Sequence, residues 1–156
     1  MNTETTPFFS DTTRLGVLER AAQSWRGTPF RANSADCGVR GGVCCHLLIT
    51  KVYREAGFDI GPVPFGAPGH ARFSRESIME PLLDAHAGFV RVPAGEVCQP
   101  GDLLGYRINS AIHHLAILLA GDQIVHAVYG PGCIITPRLD PTWSSRHAAT
   151  WRPLAR

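Results

Sequence analysis

A thiol and an imidazole suffice to break an amide bond if the thiol can lose its proton and the imidazole can take it and return it. The chain carries five cysteines (Cys37, Cys44, Cys45, Cys98 and Cys133) and seven histidines, among them His46, His113, His114 and His126. A helix entrance favours thiolate, because unpaired backbone N–H groups and the helix dipole stabilise negative charge there. Cys44 and Cys45 stand at such an entrance, just before the helical spacing of Leu47, Leu48, Val52 and Ala56 and its stop at Gly57. Facing separates the two. Cys45 shares a stripe with Leu48, Ile49, Val52 and Ala56 and points toward the core, whereas Cys44 lines up with Leu47, Lys51 and Glu55 and drifts toward the charged side.

A cysteine on an apolar helix face is by itself a small buried hydrophobe, so a partner is needed. His114 opens the apolar stretch HLAILLA, and His126 lies in the next, QIVHAV. A two-residue turn at Gly121-Asp122 would pair 120 with 123 and put the two imidazoles on opposite faces. A three-residue loop, Ala120 to Asp122, would pair 119 with 123 and 116 with 126, and put both on one face. The second arrangement is predicted, with His114 as base to Cys45 and His126 orienting it. Cys37 also follows an aspartate, Asp36, but Gly38, Gly41 and Gly42 behind it do not favour a helix. A zinc site on Cys37, Cys44, Cys45, His46, His113 and His114 lacks a Cys-x-x-Cys pair, and adjacent Cys44 and Cys45 ligate one ion awkwardly. No metal and no cofactor is predicted.

The elements that must position these groups follow from periodicity. Residues 1–10 read as a loose tail, and residues 11–156 as one domain. Asp11 or Thr12 caps a helix with apolar positions Leu15, Leu18, Ala21 and Ala22, ended by Gly27, Thr28 and Pro29. Residues 30–43 are Gly-rich and aperiodic, and the helix behind Cys45 follows. Beyond the turn-rich GPVPFGAPG, a third helix is predicted from His70 to about Ala85, carrying Ile78, Leu82 and Leu83. The rest reads as strands: FVRV, DLLGYRI, HLAILLA, QIVHAV, CIITPRL and ATWRPL. Helices first and strands after imply an α+β domain, its N-terminal helices packed on an antiparallel sheet of about five or six strands.

Composition narrows the function classes. At 156 residues the chain can bury roughly two thirds of the surface of its unfolded form without staples. A net charge of +2, with basic residues scattered, argues against nucleic acid as partner. An odd number of cysteines without framework spacing points to a reducing compartment. The N-terminus MNTETTPFFSDTTR lacks the charged and apolar regions of a signal peptide, and no stretch approaches the ~20 apolar residues of a membrane span. A soluble protein, cytoplasmic as synthesised, is therefore expected; the oligomeric state is not legible.

Taken together, AAQSWRGTPF, GGVCCHLLITKVYREAGF, PGDLL, HHLAILL and IVHA resemble the NlpC-type cysteine peptidases, papain-like bacterial enzymes that cut peptide bonds in cell-wall stem peptides. The resemblance spans roughly residues 15–152. The family tends to read Asp-Cys-Ser-Gly-Leu-Val before its helix, and counting back from Tyr53-Arg54-Glu55-Ala56-Gly57 puts its nucleophile on Cys45. Its His-Val-Gly-Ile strand falls on His114-Leu115-Ala116-Ile117, and its third polar residue, twelve positions on, falls on His126. A branch of stand-alone phage-tail proteins looks similar in length, in lacking a signal peptide and in its Gly-Val-Cys approach. The resemblance implies a papain-like domain, a peptide or muropeptide substrate, amide hydrolysis through a thioester, and delivery to the cell wall by a tail, a secretion system or lysis.

Three departures bear on the chemistry. Cys44 stands where the family prefers Asp, His46 and Leu47 replace Ser and Gly, and Phe30 occupies the Tyr of Gly-Thr-Pro-Tyr, whose hydroxyl often lies near the reacting group. Oxyanion stabilisation would then rest on the backbone N–H of Cys45, with His46 as a substitute donor. Phe30, Cys44 and His46 are accordingly the candidate substrate or oxyanion residues. The segment from Phe30 to Val43 and the loop GPVPFGAPGHARFS are long enough to wall a cleft. Two other functions fit: a binding or assembly module of papain-like shape with an impaired site, and an intracellular thiol amidase or acyltransferase on a non-murein substrate.

Overall fold

The Asp11 side chain accepts the backbone N–H of Arg14 at 3.0 Å and starts α1, Thr12–Trp25. In this computed structural model, which describes residues 5–62 and 75–155, α1 buries Leu18, Ala21, Ala22 and Trp25. The last of these was not part of the expected stripe. Helix α2, Cys45–Glu55, buries Leu48, Ile49, Val52 and Tyr53, and Gly57 behind it adopts φ +89°. Both helices pack their apolar faces into one core with Leu115, Ile117 and Leu119 of the sheet.

The expected α+β architecture is present. Six strands, β3 (Phe89–Arg91), β4 (Leu103–Ile108), β5 (Ala111–Leu119), β6 (Gln123–Val128), β7 (Gly132–Pro137) and β8 (His147–Pro153), form one sheet in the order β3-β8-β4-β5-β6-β7. Every neighbouring pair is antiparallel. Alternation along β5 divides the molecule. Leu115, Ile117 and Leu119 face the helices, while Ala116 and Leu118 join Leu104, Tyr106 and Ile124 in a second cluster on the far side.

Several elements differ from the expectation, each for a physical reason. β5 begins at Ala111, three residues before His114, because Arg107 and Ile108 continue the ladder onto Ile112 and Ala111 past an irregularity at Tyr106/Arg107. The Gly-rich segment holds a two-stranded ladder of β1 (Ala35–Asp36) and β2 (Gly42–Val43), too short for a periodic signal. The third helix, α3, covers Met79–Ala85, and residues 75–78 precede it without helix; residues 63–74, including the predicted start at His70 and most of the GPVPFGAPGHARFS loop, lie outside the described residues. A four-residue helix, α4 (Pro141–Ser144), is capped by Asp140, whose side chain accepts the N–H of Thr142. The stretch read as a loose tail is packed where described: Pro7 bridges Leu154 and Phe9 is 4% exposed, since Phe8 and Phe9 supply ring area to the Tyr53–Phe58 cluster. Among the described residues no helix is long and apolar enough to cross a membrane.

Candidate active site

Backbone geometry at the entrance of α2 separates the two cysteines. Cys44 is the N-cap, with extended φ −105° and ψ 168°, and Cys45 is the first helical residue. Because Cys44 is not helical, a helical wheel does not predict its facing. It is 4% exposed rather than turned to the charged side, and its N–H is held by the Ser34 carbonyl at 3.1 Å. Cys45 is partly exposed.

The β5–β6 hairpin has the three-residue loop Ala120–Asp122, with Gly121 and Asp122 at positive φ, and pairs Leu119 with Gln123, Leu118 with Ile124 and Ile117 with Val125. Leu118 exchanges its backbone bonds with Gly101 and Asp102 on the β4 side, so the odd-numbered groups of β5 point toward β6. The β5–β6 pairing ends at Ile117/Val125, so a seam without ladder pairing begins at Leu115 and His113. The Cys45 thiol lies against it. Its Sγ donates to the His113 carbonyl at 3.7 Å, and the Leu115 N–H favours its anion. The thiol thus touches the backbone on both sides of His114.

His114 and His126 share the far face of the sheet, as their even positions beside Ala116, Leu118 and Ile124 require. His114 Nε2 and His126 Nδ1 are 2.9 Å apart, and His126 Nε2 lies 3.0 Å from the Thr136 hydroxyl on β7. His114 Nε2 is thus engaged by His126, and His126 by Thr136. Trp143 of α4 stacks on His114 at 4.5 Å between centroids with planes 27° apart, and meets His126 edge-on at 5.1 Å. Tyr106 lies at 5.9 Å from His114 on β4.

Charge balance opposes the helix-entrance expectation. Burial, reinforced by the neighbouring Cys44 thiol, pushes the Cys45 thiol up to about 12, outweighing the backbone N–H groups of Leu115, His46 and Cys45 that pull it down. Burial, then the proximity of His126 and Arg146, holds His114 well below the usual histidine range. Burial also brings His126 down to about 4, with Asp140 pulling the other way. Near neutrality the thiol and both imidazoles are uncharged. A neutral pair can still react by concerted base catalysis, in which the imidazole takes the proton as sulfur attacks.

The other candidates fall around this centre. His46 approaches both thiols, its Nε2 3.7 Å from Cys44 Sγ and its Nδ1 4.0 Å from Cys45 Sγ. Phe30 bridges Val43 just before the cysteines, and its ring meets the 86% exposed Tyr129 edge-on at 5.8 Å. Cys37 is away from the seam, donating to the Ser24 carbonyl. Sequence reasoning did not select Thr136, Trp143 or Tyr106. The alternation of β7 could have placed Thr136 on the histidine face, but a tryptophan in a four-residue helix gives no periodic signal.

No protein-family model matches the chain, and no curated protein matches it by sequence. Solved structures do match. A lipoprotein-like NLP/P60 protein from Staphylococcus aureus is 21% identical with a TM-score of 0.65, over 100% of this chain and 46% of its own. The peptidoglycan hydrolase RipB of Mycobacterium tuberculosis is 18% identical with a TM-score of 0.59, over 96% of this chain and 69% of its own. The NlpC/p60 domain of the peptidoglycan hydrolase SagA is 20% identical with a TM-score of 0.55, over 91% and 98%. The chain therefore spans about half the length of the S. aureus protein, and its fold is the papain-like fold of NlpC/P60 domains.

Proposed function

We propose, starting from an NlpC/P60 fold, that this chain is a cysteine peptidase or amidase that hydrolyses an amide bond in peptidoglycan stem peptides, with residues 11–156 as its catalytic domain. One observation carries the reading. The thiol at the entrance of α2 lies against the backbone on either side of His114, while the His114 ring is tethered at Nε2 by His126. The substrate class rests on the structural neighbours, of which RipB and SagA are described as peptidoglycan hydrolases.

In this reaction His114 Nδ1 takes the Cys45 proton as sulfur attacks the scissile carbonyl. The oxyanion is met by the Cys45 N–H at the helix start, with the neutral His46 ring as a second donor. His114, now an imidazolium oriented by His126, gives its proton to the leaving amine. Water then cleaves the thioester with His114 as base again.

Replacing Cys45 by Ala should abolish both muropeptide hydrolysis and iodoacetamide labelling at this helix entrance, while Cys44→Ala should leave both largely intact. Peptide mapping of the alkylated protein reads the outcome, and equal labelling of the two thiols would count against the assignment. A second reading, a papain-like binding or assembly module with an impaired site, is favoured by the thiol's high pKa and by the missing hydroxyl at Phe30. It requires Cys45 to stay unlabelled in the folded protein. Labelling of Cys45 with no turnover of purified muropeptides would redirect the activity to another amide or ester.

A further inference from the structure

One face of the His114 ring is stacked on a side chain from outside the sheet, Trp143. Its indole stacks on the imidazole at 4.5 Å with planes 27° apart, and the same ring meets His126 edge-on at 5.1 Å and Tyr106 edge-on at 5.8 Å. Trp143 thus spans the 2.9 Å bond between the histidines, and both rings are almost completely buried, His114 at 6% and His126 at 0% exposure.

The helix that presents Trp143 is built to stay in place. Asp140 caps it through the N–H of Thr142, Pro141 pre-sets its first turn, the Trp143 carbonyl accepts the N–H of Arg146, and the Arg146 carbonyl accepts the N–H of Arg107 on β4. The segment is therefore tied back to the strand next to β5. Fixing an indole beside an imidazole has two consequences. The ring cannot swing about its Cβ–Cγ bond without breaking the stack, and the π face favours the imidazolium form over the neutral one.

We propose that Trp143 is a positioning residue for the reaction of Cys45: its indole face fixes the plane in which His114 bonds His126 and presents Nδ1 to the thiol, and it supports His114 while the ring carries the proton. The proposal rests on the reading of Cys45 and His114 as nucleophile and base. The titratable and charged groups around the pair are Arg146 behind α4, Asp140 before it, His126 on β6 and Tyr106 on β4. Burial, His126 and Arg146 oppose protonation of His114, and the stacked indole acts against them.

The test compares the full chain with Trp143→Phe and Trp143→Leu. Trp143→Leu should slow muropeptide hydrolysis about tenfold, with Phe recovering most of the loss. For muropeptide hydrolysis the loss should fall on kcat and spare KM, because the indole touches the base and not the seam where the thiol lies. A spectroscopic readout needs no destabilised variant. Contact with a protonated imidazole quenches indole emission, so the emission that disappears in Trp143→Phe should itself fall in the wild type as the pH drops below the usual histidine range. Emission from Trp143 that stays flat there, or folded Trp143→Leu that hydrolyses muropeptide at the wild-type kcat with an unchanged pH profile, overturns the proposal. A wild-type Cys45 that never reacts, with the emission change intact, would instead overturn the reading of the nucleophile and leave the stack established.

Discussion

At the scale of residues, Cys45 lies under two opposed influences. The helix entrance and the Leu115 N–H favour its anion, while burial and the adjacent Cys44 thiol disfavour it, and burial wins. His114 is shifted the opposite way, well below the ordinary value. A resting thiolate–imidazolium pair would give alkylation that is flat from below pH 6 to about 8. A neutral pair gives a different curve: the thiolate fraction rises about tenfold per pH unit until the thiol pKa is approached. Alkylation of Cys45 is therefore expected to climb without a plateau between pH 7 and 10, followed by stopped-time labelling and peptide mapping, and a plateau in the neutral range would sink this account. Cys45, His114 and His126 stood out in the sequence as candidates because each lies on an element with a clear period. The high thiol pKa was not legible, since desolvation depends on how β5 and β6 part around the sulfur.

At the scale of elements, the parity of one loop decides which face His126 occupies. Three residues between Leu119 and Gln123, with Gly121 and Asp122 in left-handed backbone, put it with His114. This was readable from the requirement that two imidazoles meet. The turn before β4 was less readable, although its Pro-Gly-Asp stands out. Asp102 accepts the Gln99 N–H at 2.8 Å and two bonds from Arg152 on β8, at 2.9 and 2.8 Å, with the carboxylate 2% exposed. Tyr53 of α2 donates to the adjacent Gly101 carbonyl at 2.9 Å. One turn thus ties α2, β4, β5 and β8. Asp102→Asn would leave the Arg152 guanidinium without its anion in a mostly buried place, at a cost of about 3 kcal/mol, or ~10 °C in Tm for a domain of this size. Calorimetry reads the shift, and a loss under about 1 kcal/mol would mean that Arg152 finds solvent instead.

At the scale of the whole molecule, the order of helices before strands was enough to predict an α+β domain with its N-terminal helices on an antiparallel sheet. The seam that holds the site came from non-local packing, which no local pattern encodes. That packing also sets how the protein meets acid. His46, His114, His126 and His147 are all held below the ordinary histidine range, in each case chiefly by burial. The unfolded chain therefore binds more protons than the native one between those depressed values and pH 6.5, so stability rises with pH across this window and is lost as pH falls through it. For His126, brought down to about 4, the share amounts to about 3 kcal/mol lost between pH 6.5 and 4. Thermal melts from pH 7.5 to 4 should show Tm nearly constant above 6.5 and falling steeply below. His126→Asn, which keeps polar contact with Thr136 but cannot titrate in this range, should have a shallower fall even though its Tm at pH 7 is lower. An equal slope in the two proteins would mean that the buried histidines do not govern acid unfolding, and that carboxylates carry it instead.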